Sequence, residues 1–118
     1  MKRRGLEIDE HGEDGKVALA LTGELDIATA PRLQKAVGRL CSDGVLRRLT
    51  IDLRGLDFVD STGLAAIVFT SKLCERSGGE LALIRGQDTV QQVFALTGLL
   101  DQLPFRSAEE AEEPTGQD

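Results

Sequence analysis

A chain of 118 residues with 41% hydrophobic and 29% charged side chains reads as one soluble globular domain, long enough for one core and too short for two. Its 20 acidic against 14 basic residues leave a net charge of −6, which argues against a nucleic-acid surface, and with no Trp, no Tyr and only four Phe there is almost nothing to stack on bases or sugars. No apolar run is long enough for a membrane span, and Met1-Lys2-Arg3-Arg4 leads into Gly5 and a strand-like segment instead of a signal peptide's apolar stretch, so the chain is expected to be cytoplasmic.

Leu6 to Asp9 and Val17 to Leu21 read as two extended segments, joined by His11-Gly12-Glu13-Asp14-Gly15, whose Asp-Gly is a hairpin signal. An antiparallel pair is expected. Leu33, Val37, Leu40 and Cys41 then recur at helical spacing, with Pro31 suited to a first turn and Thr29 as cap. Beyond Gly44, Leu49 to Leu53 has the pattern of a buried strand, and Leu56, Phe58 and Val59 extend its apolar content. A second helix is predicted from about Thr62 to Arg76. It is apolar around most of its circumference, so it should be covered on more than one side, with Ile67 and Phe69 either in the core or in a strip facing a partner. Gly78-Gly79 stops it. Leu81 to Ile84 makes another strand, and Thr89 to Leu96 a third helix with Val90, Val93, Phe94 and Leu96 inward, closed by Thr97-Gly98. Leu103-Pro104-Phe105 suits a short edge strand. This order predicts an α/β domain with a mixed sheet of about four to five strands and amphipathic helices packed on it, the parallel strands linked by right-handed crossovers. Ser107-Ala108-Glu109-Glu110 has capping-box spacing, but the residues beyond it include no large apolar side chain to dock, so the tail is expected to start a helical turn and end disordered.

Val59-Asp60-Ser61-Thr62-Gly63-Leu64 is the densest chemical signal. A strand-like run ends in a hydroxylated turn and an apolar helix begins at once, which puts the Ser61 hydroxyl at a helix N-terminus. Free N–H groups and the positive dipole end favour an oxygen-rich anion there, so Ser61 could carry a phosphate. From the local residues alone, a plain capping role for Asp60 or Ser61 stays open. Gly63 fits either a tight helix start or a surface that a partner closes over.

Catalytic and metal readings find little support. G-x-S-x-G, the P-loop pattern and G-x-G-x-x-G are all absent, and the one histidine, His11, lies in the hairpin. Ser61 therefore has no evident general base. Cys41 and Cys74 lack ligand spacing and read as two buried reduced thiols on separate helices. No enzyme activity, cofactor or metal is expected.

Four ordered blocks resemble the STAS domain, and more narrowly the bacterial anti-sigma factor antagonists. They are Val17-Ala18-Leu19-Ala20-Leu21-Thr22-Gly23-Glu24-Leu25-Asp26; the run from Ile51 to Leu64; Gly78-Gly79-Glu80-Leu81; and Val93-Phe94-Ala95-Leu96-Thr97-Gly98-Leu99. The resemblance covers residues 6–106, leaving 1–5 as a flexible N-terminus and 107–118 as the acidic tail. It implies a non-enzymatic regulator in a partner switch: the unphosphorylated protein binds an anti-sigma factor that is also a serine kinase, freeing a sigma factor, and a phosphatase reverses the modification. The phosphorylated residue would be Ser61, with Thr62 a lesser candidate. Asp26, Asp60, Ser61, Thr62 and Gly63 would form the partner-binding set, Asp26 lying beside the serine; neither nucleic acid nor membrane is an expected partner. The alternative is a STAS scaffold or subunit of a transport or signalling assembly without a phospho-switch. Family members commonly end in a helix with aliphatic residues, whereas here the segment from Ala108 is acidic and carries only small apolar ones.

Overall fold

A computed structural model of the chain describes residues 5–112. β1 (Leu6–Glu13) and β2 (Lys16–Leu25) form the expected antiparallel pair. Their connection is only Asp14-Gly15, both with positive φ (57° and 81°), the backbone that matches the twist of a two-residue hairpin. His11, Gly12 and Glu13, expected in the turn, instead continue β1 opposite Ala18, Val17 and Lys16. The tight turn needs no more than its Asp-Gly, so the ladder runs to its edge.

There follow α1 (Ala30–Cys41), β3 (Arg48–Val59), α2 (Ser61–Arg76), β4 (Glu80–Ile84), α3 (Asp88–Leu96), β5 (Phe105–Arg106) and α4 (Ala108–Glu112). The sheet order is β1-β2-β3-β4-β5, with β2 to β5 parallel. This is the mixed α/β sheet predicted from the sequence. Every parallel step moves one strand in the same direction, so right-handed crossovers put α1, α2 and α3 on one face. Leu19, Leu21 and Leu25 of β2 and Leu49, Ile51 and Leu53 of β3 floor that face, none more than 1% exposed. Leu33 and Val37 from α1, Ala66 and Ile67 from α2, and Val90 and Phe94 from α3 close over them. Each of these side chains larger than alanine contributes about 1.5–3 kcal/mol by leaving water.

β3 runs well past Leu53. Two register shifts against β2, between Ala20 and Thr22 and between Gly23 and Glu24, accommodate its extra residues, and the strands finish level, with Leu25 beside Val59. The next residues on the two strands are Asp26 and Asp60, so this pairing places them together.

Helix ends follow the sequence in part. After α2, the Gly78 and Gly79 N–H groups donate to the Glu75 and Cys74 carbonyls, and after α3, those of Gly98 and Leu99 donate to Ala95 and Phe94, the Schellman pattern at both stops. Leu96, expected inward, is 84% exposed. Val90 and Phe94 are four residues apart and share the buried face, whereas Leu96 is six from Val90 and points about 240° away at 3.6 residues per turn. The last strand is displaced to Phe105–Arg106, with Phe105 edge-on to Phe94 at 5.1 Å and Pro104 accepting from the Leu83 N–H at 3.0 Å.

Of the segment expected to form a flexible N-terminus, Gly5 is described: its carbonyl accepts from the Glu24 N–H at 3.1 Å. At the other end the Ser107 hydroxyl and the Glu110 carboxylate accept reciprocally from the Glu110 and Ser107 N–H groups, a capping box, and α4 packs on β4 and β5. Residues 1–4 and 113–118, to which the remaining tail expectations refer, lie outside the described residues.

Candidate functional site

The site is built where β2 and β3 end side by side. Asp26 leaves β2 and turns its carboxylate back on the chain: Oδ1 accepts from the Ala28 N–H (3.0 Å) and the Thr29 N–H (3.1 Å). Its main-chain oxygen takes the Ala30 N–H at 2.7 Å, the first step into α1. Thr29, expected as the cap of α1, makes no side-chain cap bond. Thr29 does occupy the N-cap position, but its hydroxyl accepts from the Asp26 N–H at 2.9 Å and donates to the Glu24 carbonyl at 2.8 Å, so Asp26 and Thr29 together hold the turn that leads into the helix. Asp26 is only 1% exposed.

Asp60 ties this corner to the next one. Its Oδ1 accepts from the Gly63 N–H at 2.9 Å, the N-cap bond of α2, and its Oδ2 accepts from the Ile27 N–H at 3.1 Å. Its own N–H donates to the Leu25 carbonyl at 3.2 Å, and its carbonyl takes the Leu64 N–H at 2.8 Å. Between Asp60 and Ser61, then, the cap is Asp60. Gly63 lies directly over Leu25: a Cβ there would be 2.3 Å from the Leu25 carbonyl oxygen. Close backbone approach explains this glycine.

With Asp60 as cap, Ser61 is the first residue of α2 and is exposed, and its hydroxyl has no hydrogen-bond partner among the described residues. Thr62 behind it is half-buried. A group transferred to the Ser61 oxygen would meet the first unpaired N–H groups of the helix and its positive end. The structure thus brings Asp26, Asp60, Ser61, Thr62 and Gly63 to one end of the sheet. Asp26, expected beside the serine and in contact with a partner, has its carboxylate covered, so its contribution passes through the Ile27–Thr29 corner that it holds.

Ile27 escaped sequence reasoning. It is 70% exposed on that corner, and an isolated isoleucine between a strand and a helix carries no periodicity to show this. Phe69 is 45% exposed two turns along α2 from Ser61, while Ile67 is fully buried, so the two fates left open in the sequence fall to one residue each. Ser61, Ala65 and Phe69, spaced by four, share the exposed side of the helix.

His11, on β1 opposite Ala18, lies toward the far end of β2 from Ser61. Among the described residues no group of three or more His, Cys, Asp and Glu side chains could hold a metal ion, and no helix is long and apolar enough to cross a membrane. Cys74 is buried, and Cys41, expected to be, is only partly so because it closes the last turn of α1. Burial first, and then the neighbouring Cys41 thiol, push the Cys74 thiol up to about 12. Burial also acts to raise Asp52, but the Arg54 guanidinium and backbone N–H, all within 3.0 Å of its carboxylate, outweigh it and hold Asp52 below the usual carboxylate range.

Residues 6–112 match the model of the STAS domain. The chain is 30% identical over 107 residues to an anti-sigma-B factor antagonist of Staphylococcus aureus, covering 91% of this chain and 98% of that one. It is 30% identical over 96 residues to the anti-sigma-B factor antagonist of Bacillus subtilis, covering 81% and 86%. Its fold superimposes on the crystal structure of an anti-sigma factor antagonist from Mycobacterium paratuberculosis with a TM-score of 0.76, at 26% identity over 91% of each chain.

Proposed function

The chain belongs to the STAS domain family, and on that footing we propose that it is an anti-sigma factor antagonist whose docking is controlled by phosphate on Ser61. Unphosphorylated, it binds in the cytoplasm an anti-sigma factor that is also a serine kinase, and a sigma factor is released. The kinase transfers phosphate to Ser61, the complex parts, and a phosphatase resets it. Thr62 is the lesser acceptor. The surface that docks comprises Ser61, Thr62 and Gly63, the Asp26 and Asp60 corners that hold them, and the exposed apolar Ile27 and Phe69 on either side.

One observation carries this reading: the Ser61 hydroxyl is exposed and unengaged because the adjacent Asp60 does the capping. A serine needed as cap would have its oxygen committed to an N–H of the first turn. Magnitudes favour a direct block over a refolding. The helix terminus stabilises a phosphate by about 0.3–1 kcal/mol, opposed by Asp26 and Asp60, which is too little to rebuild a domain. A dianion set against a surface shaped for a neutral hydroxyl costs several kcal/mol of binding, and every 1.4 kcal/mol is about tenfold in affinity.

The test uses Ser61→Ala and Ser61→Asp proteins as baits in native lysate, with affinities then measured for the recovered partner. The alanine form should hold a kinase-like anti-sigma factor that the aspartate form binds on the order of a hundredfold more weakly. Equal retention by both would leave Ser61 without a switching role and favour a constitutive scaffold. Amide shifts across the whole sheet on phosphorylation would instead overturn the direct block.

A further inference from the structure

We propose that Cys41 and Cys74 form a dithiol site oxidised by peroxide, in which a partly exposed and a buried sulfur join in a reversible disulfide that ties the end of α1 to the end of α2. Both are free thiols in the structure, and the docking surface around Ser61 uses neither.

The fold brings them together from 33 residues apart. α1 follows β2 and α2 follows β3, two parallel strands that finish level, so the helices start at adjacent corners and run back side by side over one face of the sheet. Cys41 is the last residue of α1 (Ala30–Cys41), and Cys74 lies two residues from the end of α2 (Ser61–Arg76). At 1.5 Å per residue each lies roughly 20 Å from the start of its helix, so the two are nearly level. Ala66, Thr70 and Cys74, spaced by four and all buried, keep that side of α2 free of large side chains, and the Thr70 hydroxyl donates back to the Ala66 carbonyl at 2.8 Å. Cα atoms of the two helices approach within 8 Å. Cys41 packs against the core cluster that contains Cys74, and the two thiols lie within hydrogen-bonding reach of each other. Neighbouring sulfurs on closely packed backbones are what a disulfide requires.

The two sulfurs differ in what they can do. Cys41 is partly exposed and is the one that a solute reaches. Cys74 is 1% exposed, and with its thiol pushed up to about 12 it does not compete for the oxidant. The Cys41 thiolate attacks the peroxide: an S–O bond forms, the O–O bond breaks, and the departing hydroxide takes up the proton that the thiol gave away, leaving a sulfenic acid and one water. The Cys74 sulfur then attacks the Cys41 sulfur. The S–S bond forms, the S–O bond breaks, and the Cys74 proton leaves with the hydroxyl as a second water. The thiol pair loses two electrons and the peroxide gains them, and a dithiol reductant reverses the bond by exchange.

The experiment treats the full folded chain, dilute and at pH 8, with hydrogen peroxide, blocks the remaining thiols and maps the product by mass spectrometry. A monomer lighter by about 2 Da, yielding a linked Cys41–Cys74 peptide that dithiothreitol abolishes, supports the site. In Cys74→Ala the Cys41 sulfenic acid should persist long enough for dimedone to trap it, and in Cys41→Ser oxidation of Cys74 should slow by about tenfold or more. The linked peptide is read on the wild type, so the outcome stands even if the variant at buried Cys74 misfolds. Wild-type Cys41 passing to sulfinic acid while Cys74 stays a thiol, a disulfide joining two chains, or a linked peptide that forms only after urea unfolds the protein would each overturn the proposal. So would oxidation of Cys74 at the wild-type rate in Cys41→Ser.

Discussion

Replacing Gly63 by alanine sets two effects of opposite sign against each other. In a helix, alanine is favoured over glycine by about 0.8–1.0 kcal/mol, so local propensity predicts a more stable protein. The structure predicts the reverse. The added Cβ would fall 2.3 Å from the Leu25 carbonyl oxygen and 2.9 Å from the Leu25 carbonyl carbon, where ordinary contact begins near 3.4 Å. Because the nearest obstruction is backbone at the end of β2, moving a side chain cannot relieve it. The first turn of α2 must retreat by about 1 Å, which stretches the 2.9, 3.1 and 3.2 Å bonds that Asp60 makes to Gly63, Ile27 and Leu25. At about 1 kcal/mol for each bond weakened, less the propensity gain, the expected net loss is about 1–3 kcal/mol. With no Trp in the chain, unfolding is best followed by far-ultraviolet circular dichroism in urea, where the midpoint should drop by about 1 M with an unchanged slope. An unchanged or higher midpoint for Gly63→Ala would refute the reasoning, since it would mean that the strand ends are not held against the helix.

Asp60→Ala removes the acceptor of two backbone N–H groups and should cost about 1–2 kcal/mol in urea unfolding, with faster hydrogen exchange at Ile27; Asp60→Asn, which keeps one carbonyl oxygen, should fall between. Because Cys74 is held near 12, native alkylation at pH 8 followed by mass spectrometry should modify Cys41 and spare Cys74, and comparable rates at both would contradict the burial argument. Asp52 is depressed in the folded chain, so the unfolded chain binds its proton more readily. Its contribution is complete above the ordinary carboxylate value of about 3.9 and is lost as pH falls through the lower folded value, and Arg54→Gln should accordingly move acid unfolding to higher pH.

Val17–Leu21 and Leu49–Leu53 are legible as strands because each is a short apolar run of the kind a buried strand needs. What the sequence left open at the site depended on contacts between distant segments. Either Asp60 or Ser61 suits a helix cap by chemistry, and the choice falls to Asp60 because β2 and β3 finish level and bring the Ile27 N–H within reach of its second oxygen. Asp26 could equally have been a solvated strand-end carboxylate; the Thr29 hydroxyl and the turn after it cover it. Leu96 looked internal because it is apolar and closes an apolar run, yet angular position on a short helix outweighs composition. Gly63 fits a tight helix start or a partner surface by its sequence alone, and the backbone it approaches is not legible there, since Leu25 lies 38 residues earlier in the chain.

For the phosphorylation proposed at Ser61, the clasp that Asp60 makes across two corners has a consequence for how the hydroxyl would be addressed. An enzyme that binds its target as an extended strand would have to break the Asp60 bonds to Ile27 and Gly63 and unwind the first turn of α2 before the hydroxyl could be aligned. An enzyme that grips the folded corner would find it ready. Discrimination between such enzymes is therefore made by shape before it is made by sequence, and a short peptide copied from residues 55–67 should be a poor stand-in for the intact domain, although it contains every residue of the turn. What would mark this serine for such an enzyme is distributed over two strand ends and exists only while they stay side by side.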